Sequence, residues 1–296
     1  MSSVDPTTST TGGSTRTRTR PVVDAQIHIW HNEDVEHPWQ PEWRTYAHRG
    51  GISPSVQELI AEMDAAGVDR AILVPPSFSG DDNTASFAAA ERYPDRFAVM
   101  ARPPMPELDT DFHRWREQPG TLGVRVTFNR EFSIKWLEDG TAERLWSALE
   151  DADLPVMAFA PTRVLNLIPG LEKHPNLRLI IDHAGLPTHK PPISVERLVD
   201  EAIGLARFSN VAVKASAFPC ALDEAYPFPT AQRLTRRLVD AFGPERVFWG
   251  TDLTRLPCSY SEGVRYLSEA GGLTEEELDL VMGQGLLNWL GWPGER

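Results

Sequence analysis

The stretch Val-Val-Asp-Ala-Gln-Ile-His-Ile at residues 22–29, followed by Trp-His-Asn-Glu at 30–33, decides between two candidate folds. Its β-branched and apolar residues predict a strand. A doubly wound open sheet would normally carry a glycine-rich phosphate loop after its first strand. Aromatic, histidine and acidic residues follow here instead, and this favours a closed barrel over the open sheet.

Seven further runs of the same kind follow, with segments of helical period between them. These strands are predicted at 70–75, 97–101, 122–128, 155–160, 177–182, 210–216 and 246–250. Helices are predicted near 55–66, 84–93, 108–117, 141–152, 162–173, 193–207, 229–242 and 274–290. This alternation predicts one (β/α)8 TIM-type barrel over residues 21–296. The insert at 30–52 then lies on the C-terminal face, where active sites of such barrels form.

Composition narrows the class of protein. The chain has 296 residues, a formal charge of −13 and 41% hydrophobic residues, which is typical of a soluble globular protein. No apolar run approaches the ~18 residues of a membrane span, and no Lys/Arg cluster suits nucleic acid. Cys220 and Cys258 are too few for a disulfide framework, which indicates the cytoplasm. Residues 1–20, rich in Ser, Thr and Arg, predict a disordered tail, with a transit peptide as the alternative.

Polar residues in and after the apolar strands indicate where chemistry takes place. Side chains alternate along a strand, so Asp24, Gln26 and His28 are expected to share the barrel interior. His183 and Asp252 follow strands 6 and 8, at the catalytic end of a barrel. Together they supply a general base and a possible set of metal ligands.

Two cations interrupt apolar strands. Arg125 lies in strand 4 and Lys214 in strand 7, and an unpaired buried cation is costly. Each is therefore expected to meet an anionic substrate or water, or to form an internal ion pair with Asp24 or Asp182. At the barrel mouth they would hold a small anionic molecule.

Four segments, in order, resemble the amidohydrolase-related family, the amidohydrolase 2 group of the metal-dependent hydrolase superfamily. VVDAQIHIW is similar to its opening D-x-H-x-H-x-W strand, and IDHAGLP to its strand-6 D-H-x-G-x-P. NVAVKAS and FWGTDLTR resemble its strand-7 N-V-x-V-K-x-S and strand-8 W-G-T-D segments. The resemblance spans residues 21–292. It implies a TIM-barrel enzyme in which His28, His183 and Asp252 form the catalytic and metal-binding set.

The departures from this family pattern concern the metal. Gln26 stands where metal-binding members have a first histidine, and strand 5 offers no histidine. A tight zinc site needs three or four good ligands, and only His28, His183 and Asp252 qualify, with Gln26 a weak fourth. The resemblance leaves two alternatives: one divalent metal (Zn, Mn or Fe), or no required cofactor.

The segment GVRVTFNR at 123–130 resembles strand 4 of the family's lactonases, including the pyrone dicarboxylate lactonase. Arg125 matches an arginine that holds a substrate carboxylate there, and Arg130 matches a second one loosely. The resemblance implies hydrolysis of a carboxylate-bearing lactone or cyclic ester, in which Asp252 takes a proton from water. His183 or Lys214 would then stabilise the oxyanion.

Other residues are candidates for the pocket wall. Ser77 follows strand 2, and Trp39 and His48 lie in the insert at 30–52. This tryptophan-rich insert would serve equally well in a subunit interface, either of a homo-oligomer or of a hetero-oligomer with a paralogous barrel.

Three alternatives to a lactonase stay open. The first two are a metal-dependent decarboxylase and a metal-dependent oxygenase of the same family. The third is a non-catalytic barrel that partners an active paralogue, suggested by Gln26 and the bare strand 5. Each residue also has a purely structural alternative: Asp252 would pair with Arg255 or a barrel cation, and His183 would be a hydrogen-bonded core histidine.

Overall fold

The computed structural model describes residues 20–105, 111–187, 193–269 and 272–293, which form a barrel of parallel strands in sequence order. The strands are β1 Val23–Ile27, β2 Arg70–Leu73, β3 Phe97–Ala101, β4 Thr121–Thr127, β5 Val156–Phe159, β6 Leu179–Ile181, β7 Val211–Ser216 and β8 Val247–Gly250. Each pairs with the next. Beyond β8 the Asp252 N–H donates to the Gln26 carbonyl, 3.0 Å away. The barrel is nearly closed, so the predicted fold and strands are confirmed and the doubly wound alternative is wrong.

Helices cover the outside of this barrel. In the described residues they are α1 Val56–Ala66, α2 Thr84–Arg92, α3 Glu131–Asp139, α4 Thr141–Asp151, α5 Ile168–Lys173, α6 Val195–Ile203, α7 Phe218–Ala221, α8 Pro229–Phe242, α9 Tyr260–Glu269, α10 Glu275–Asp279 and α11 Gly285–Leu290. A capping box of Ser55 with Glu58 begins α1, and Gly67, at a φ of 74°, ends it. No helix of the described ranges is long and apolar enough to span a bilayer.

Some helix predictions were wrong. The sequence did not reveal α3, α7 or α9. The helix expected at 108–117 is a short 3-10 helix, His113–Glu117, while 108–110 lie outside the described residues. The helix expected at 274–290 is interrupted by a π-type turn, Leu280–Gln284, where a Cβ on Gly283 would lie 2.4 Å from a backbone oxygen. The predicted disordered tail lies outside the described residues, apart from Arg20.

β1 contains a bulge that alternation alone could not predict. Asp24 pairs with Ala71 and Ile27 with Leu73, so three steps along β1 match two along β2. One extra residue reverses the inward and outward sides of a strand. The first half of β1 therefore has the opposite orientation to the one expected from the sequence.

Asp24 consequently faces the helix layer, and its expected place beside Gln26 and His28 is wrong. Its carboxylate accepts hydrogen bonds from the Tyr260 hydroxyl at the start of α9 (3.0 Å) and from the Thr251 hydroxyl (2.5 Å). Burial raises the pKa of Asp24 to about 6, although these bonds partly oppose the rise. Asp24 thus joins β1 to the segment after β8 and contributes no charge to the barrel interior.

The insert at 30–52 covers part of the C-terminal mouth. It holds two 3-10 helices, Pro41–Tyr46 and His48–Gly51. Trp30 and Trp39 are buried against Phe78, with ring centroids 5.2 and 4.9 Å from it. This aromatic cluster fixes the insert to the loop after β2 and brings His48 over the strand ends.

Candidate active site

A cavity of ≈ 350 Å³ opens at the C-terminal mouth of the barrel. This is within the range of small-molecule sites. Its wall combines ionisable groups with aromatic rings. The lining residues are His28, Trp43, Tyr46, His48, Pro76, Ser77, Phe78, Arg125, Asn129, Phe159, Pro161, Thr162, Arg163, His183, Pro187, Asp252 and Arg255.

Asp252 is the carboxylate at the floor of this cavity. It is buried, and its Oδ1 lies 3.0 Å from His28 Nε2. The contact is not an aligned hydrogen bond, since neither carboxylate oxygen has a hydrogen-bond partner. Burial raises the pKa of Asp252, but the contact with His28 outweighs burial and holds the pKa below its usual range. An ionised carboxylate with uncommitted oxygens is suited to accept a proton from water.

Gln26 and Lys214 lie beneath the floor, and their hydrogen bonds determine which nitrogen of His28 donates and which accepts. Lys214 Nζ donates to Gln26 Oε1 at 2.6 Å, and because an ammonium can only donate, the amide NH2 of Gln26 must point the other way. That NH2 lies 3.2 Å from His28 Nε2, while His28 Nδ1 lies 2.5 Å from the Val74 carbonyl. His28 therefore donates from Nδ1 and accepts at Nε2 from Gln26.

Asp182 pairs with both barrel cations. Arg125 Nε lies 2.9 Å from one of its oxygens and Lys214 Nζ 2.8 Å from the other, and all three side chains are buried. Burial raises the pKa of Asp182, but the two cations lower it by more than burial raises it, so the pKa lies below its usual range. The Arg125 guanidinium also stacks over the Phe159 ring at 4.8 Å. The internal partner of both cations is thus Asp182, and the alternative pairing with Asp24 is wrong.

Backbone strain accompanies the site residues. His183 and Asp252 have φ values of 53° and 58°, in the left-handed region that side chains other than glycine seldom adopt. His183 Nδ1 lies 2.8 Å from the Ser216 hydroxyl, and its ring lines the cavity. Burial lowers the pKa of His183 to about 4. At neutral pH the imidazole is uncharged.

His48 reaches the cavity from the insert. Arg255 Nη1 lies 3.2 Å from His48 Nε2 and can only donate, so Nε2 is an acceptor and Nδ1 donates to the Thr254 hydroxyl, 2.6 Å away. Burial lowers the pKa of His48 to about 3. Arg255 Nε lies 3.8 Å from Asp252 Oδ2. His48 is therefore a neutral ring beside the carboxylate, with both nitrogens occupied.

The structure brings together six of the residues expected at the site. His28, His183, Asp252, Arg125, Ser77 and His48 all line the cavity.

Four other candidates do not line it. Gln26 and Lys214 are beneath the floor, and Trp39 is buried behind Phe78. Arg130 Nη1 donates to Gln40 of the insert at 3.0 Å, and its guanidinium lies 4.9 Å from the ring of Trp43.

Sequence reasoning missed several residues of the wall. Asn129 and Arg163 follow β4 and β5, so their position after strand ends was a usable signal. Arg255 was considered only as a partner of Asp252. Trp43 and Tyr46 depend on the path of the insert, for which the sequence offers no comparable signal.

Comparison with known proteins identifies the family. The sequence profile described as Amidohydrolase matches residues 23–292, nearly the whole chain. The chain belongs to the amidohydrolase family. The expected resemblance and the prediction of a hydrolase are confirmed.

Individual relatives within the amidohydrolase family share less than a third of their residues with this chain. L-fucono-1,5-lactonase of Burkholderia ambifaria is 27% identical over 239 residues, 78% of this chain and 79% of the relative. 4-Sulfomuconolactone hydrolase of Hydrogenophaga intermedia is 27% identical over 226 residues, 76% of this chain and 72% of the relative. A zinc-bound amidohydrolase structure from Burkholderia multivorans is 20% identical, with a TM-score of 0.74. The alignment covers 92% of this chain and 100% of that protein.

The amidohydrolase family is typically metal-dependent, so the donors present here need a test against a bound ion. Ligand atoms of His28, His48 and Asp252 lie within 4.8 Å of one another. However, both His48 nitrogens are engaged by Arg255 and Thr254, and Gln26 directs an N–H at His28 Nε2. A tight zinc site needs free lone pairs at these positions. Here the lone pairs face a hydrogen-bond donor and a guanidinium, so the arrangement does not fit a bound cation.

Proposed function

We propose that this amidohydrolase opens a small lactone bearing a carboxylate, with Asp252 activating water and no bound metal required. The observation that carries the proposal is Asp252 itself, a buried carboxylate of lowered pKa whose oxygens face a cavity and have no hydrogen-bond partner. The names of two relatives, a fuconolactonase and a sulfomuconolactone hydrolase, support a lactone as the substrate class.

The chemical steps use residues of the cavity. Asp252 takes a proton from water, and the hydroxide oxygen bonds to the lactone carbonyl carbon. If Ser216 donates to Nδ1 of neutral His183, the His183 proton lies on Nε2 and can donate to the oxyanion. The ring C–O bond then breaks, and the proton on Asp252 passes to the leaving oxygen. Lys214 is fully buried and bonded to Gln26 and Asp182, so we assign the oxyanion to His183 instead.

Removal of the Asp252 charge tests this mechanism. We expect Asp252→Asn to lower kcat for lactone hydrolysis on the order of 10²- to 10⁴-fold. The thermal midpoint should fall, because the contacts of the charged carboxylate with His28 and Arg255 are lost, but the variant should stay folded. Both are measured on chain dialysed against a chelator. A variant of unchanged kcat would refute the role of Asp252.

The same preparation separates the alternatives. Hydrolysis by the metal-free chain supports the proposal. Activity that disappears on chelation and returns with Zn, Mn or Fe would instead support metal-dependent hydrolysis, decarboxylation or oxygenation. Absence of turnover on any lactone, with or without metal, would favour a non-catalytic barrel.

Arg125 is the residue we assign to the substrate carboxylate. It lines the cavity while its Nε pairs with Asp182. Because a charge-assisted hydrogen bond contributes about 1.5–3 kcal/mol, Arg125→Ala should raise KM about tenfold or more for an anionic lactone and much less for its methyl ester. Lys214 still neutralises Asp182 in this variant. Equal effects on the acid and the ester would exclude the carboxylate role.

The cellular location belongs to the same proposal. Cys220 and Cys258 are both free thiols. This supports a reducing compartment such as the cytoplasm.

A further inference from the structure

A second cluster of ligating side chains lies outside the cavity, where the insert meets the loop after β2. The rings of His31 and His37 stack with centroids 3.9 Å apart and planes 16° apart. His37 Nδ1 lies 2.9 Å from Asp82 Oδ2. All three residues are half-buried, and none lines the cavity.

The cluster is held by its surroundings. Thr84 donates to Asp82 Oδ1 from its backbone N–H at 2.9 Å and from its hydroxyl at 2.5 Å, which leaves Oδ2 for the histidines. The carbonyl of His31 accepts from Trp39 Nε1 at 3.1 Å. The His37 N–H donates to Asp34 Oδ1 at 2.8 Å. Backbone and carboxylate are therefore positioned before any ligand arrives.

We propose that His31, His37 and Asp82 bind a divalent transition metal such as zinc. Two imidazoles and a carboxylate are a common zinc set, and a half-buried site leaves room for water as the fourth ligand. The ligand atoms lie within 4.8 Å of one another. Neighbouring ligands of tetrahedral zinc, with bonds of about 2.1 Å, are about 3.4 Å apart, so small side-chain rotations that unstack the rings close the site.

The bound ion would have a structural role. It would link the insert, which carries His31 and His37, to the loop after β2, which carries Asp82. The insert also brings His48, Trp43 and Tyr46 to the cavity wall. Metal binding therefore stabilises the part of the pocket that comes from the insert, without placing the ion at the reacting atoms.

Zinc titration of the full chain in the Asp252→Asn background tests the proposal, because this variant removes a ligand from the cavity. We expect one zinc per chain by equilibrium dialysis and a rise in the thermal midpoint. Affinity should fall at least about tenfold in His37→Ala and in Asp82→Asn, each of which removes one ligand. His113→Ala is the matched control, since this exposed histidine belongs to a separate 3-10 helix.

Cobalt supplies an independent readout. Visible absorption of the Co²⁺-loaded chain should show nitrogen and oxygen ligands and should disappear in His31→Ala. The proposal is overturned if His37→Ala and Asp82→Asn bind zinc as tightly as their parent does, or if the parent binds no zinc. Neither result bears on lactone hydrolysis, which is measured after chelation.

Discussion

Gln26 shows how one residue changes the chemistry available at a strand end. Lys214 fixes its amide oxygen, and its NH2 occupies the side of His28 Nε2 that a metal would need. The sequence revealed the missing histidine at this position. The direction of the amide could not be predicted from it, because the partner that sets this direction lies 188 residues away in the chain.

Gln26→His tests this reasoning. The substitution replaces an N–H donor by an imidazole whose lone pair joins those of His28 and Asp252, so we expect a gain of one zinc per chain. Equilibrium dialysis in the His37→Ala background measures this site alone. Gln26→Ala, which removes the donor without adding a ligand, is the control and should gain none. No gain in Gln26→His would show that Arg255 or His48, rather than Gln26, prevents metal binding.

Most of the strand-end residues of the candidate site could be predicted from the sequence because they follow apolar strands. His183 and Asp252 were found in this way, and they line the cavity. Asp24 was misplaced because a bulge leaves no mark in the alternation of residue types. Arg163 and Arg255 were missed because loop residues have no periodicity from which to infer their direction.

At the scale of elements, the barrel strands and the insert differ in how well the sequence describes them. Every strand was predicted, since parallel buried strands are short apolar runs between helices. The short 3-10 helices of the insert were not predicted, because no hydrophobic period distinguishes them. Their arrangement depends on the contact of Trp30 and Trp39 with Phe78, which only the folded barrel provides.

Trp39→Ala should loosen the insert while the barrel stays folded. Trp39 is 8% exposed and packs against Phe78 with its ring tilted by 59°. Its ring also packs close to Gly51, where an added Cβ would lie 3.0 Å from it. Truncation of a buried tryptophan costs about 3–5 kcal/mol, and here the loss is confined to the insert. We expect proteolytic cleavage within 30–52 and lower kcat/KM, because His48 loses its support.

Val35→Ala is the control for this change, since Val35 is 97% exposed in the same insert. It should alter neither proteolysis nor kcat/KM. Loss of the whole barrel in Trp39→Ala, seen as one cooperative transition at a much lower temperature, would contradict an independently held insert.

At the scale of the whole molecule, charge is distributed unevenly. The chain carries −13, yet Arg125, Arg163 and Arg255 line the cavity. A locally positive mouth on a chain of net negative charge would favour, at short range, the carboxylate-bearing lactone that we propose as substrate. Whether copies of the chain associate, with each other or with a paralogue, stays a prediction.

Stability should decrease in mild acid because a histidine is buried uncharged. The pKa of His183 is about 4 in the folded chain, against about 6.5 when unfolded. Between these values the unfolded chain binds more protons, so the free energy of unfolding falls as pH decreases from 6.5 to 4, by roughly 3 kcal/mol at most. Asp24, with its raised pKa, acts in the opposite direction.

Denaturant unfolding of the wild type and His183→Asn across this pH range isolates the histidine, since Asp24 contributes equally to both. We expect the difference in unfolding free energy between the two chains to shrink as the pH falls. A constant difference would mean that His183 is not buried uncharged.

The pocket has two parts that differ in how much their sequence can change without disturbing the barrel. The strand ends hold Asp252, His183 and Arg125 and are constrained by every neighbouring strand of the barrel. The other wall, with Trp43, Tyr46 and His48, comes from one contiguous segment. Exchange of this single stretch of chain would change one wall alone, and grafting residues 30–52 onto another barrel of the family is expected to transfer a binding surface without altering the residues at its strand ends.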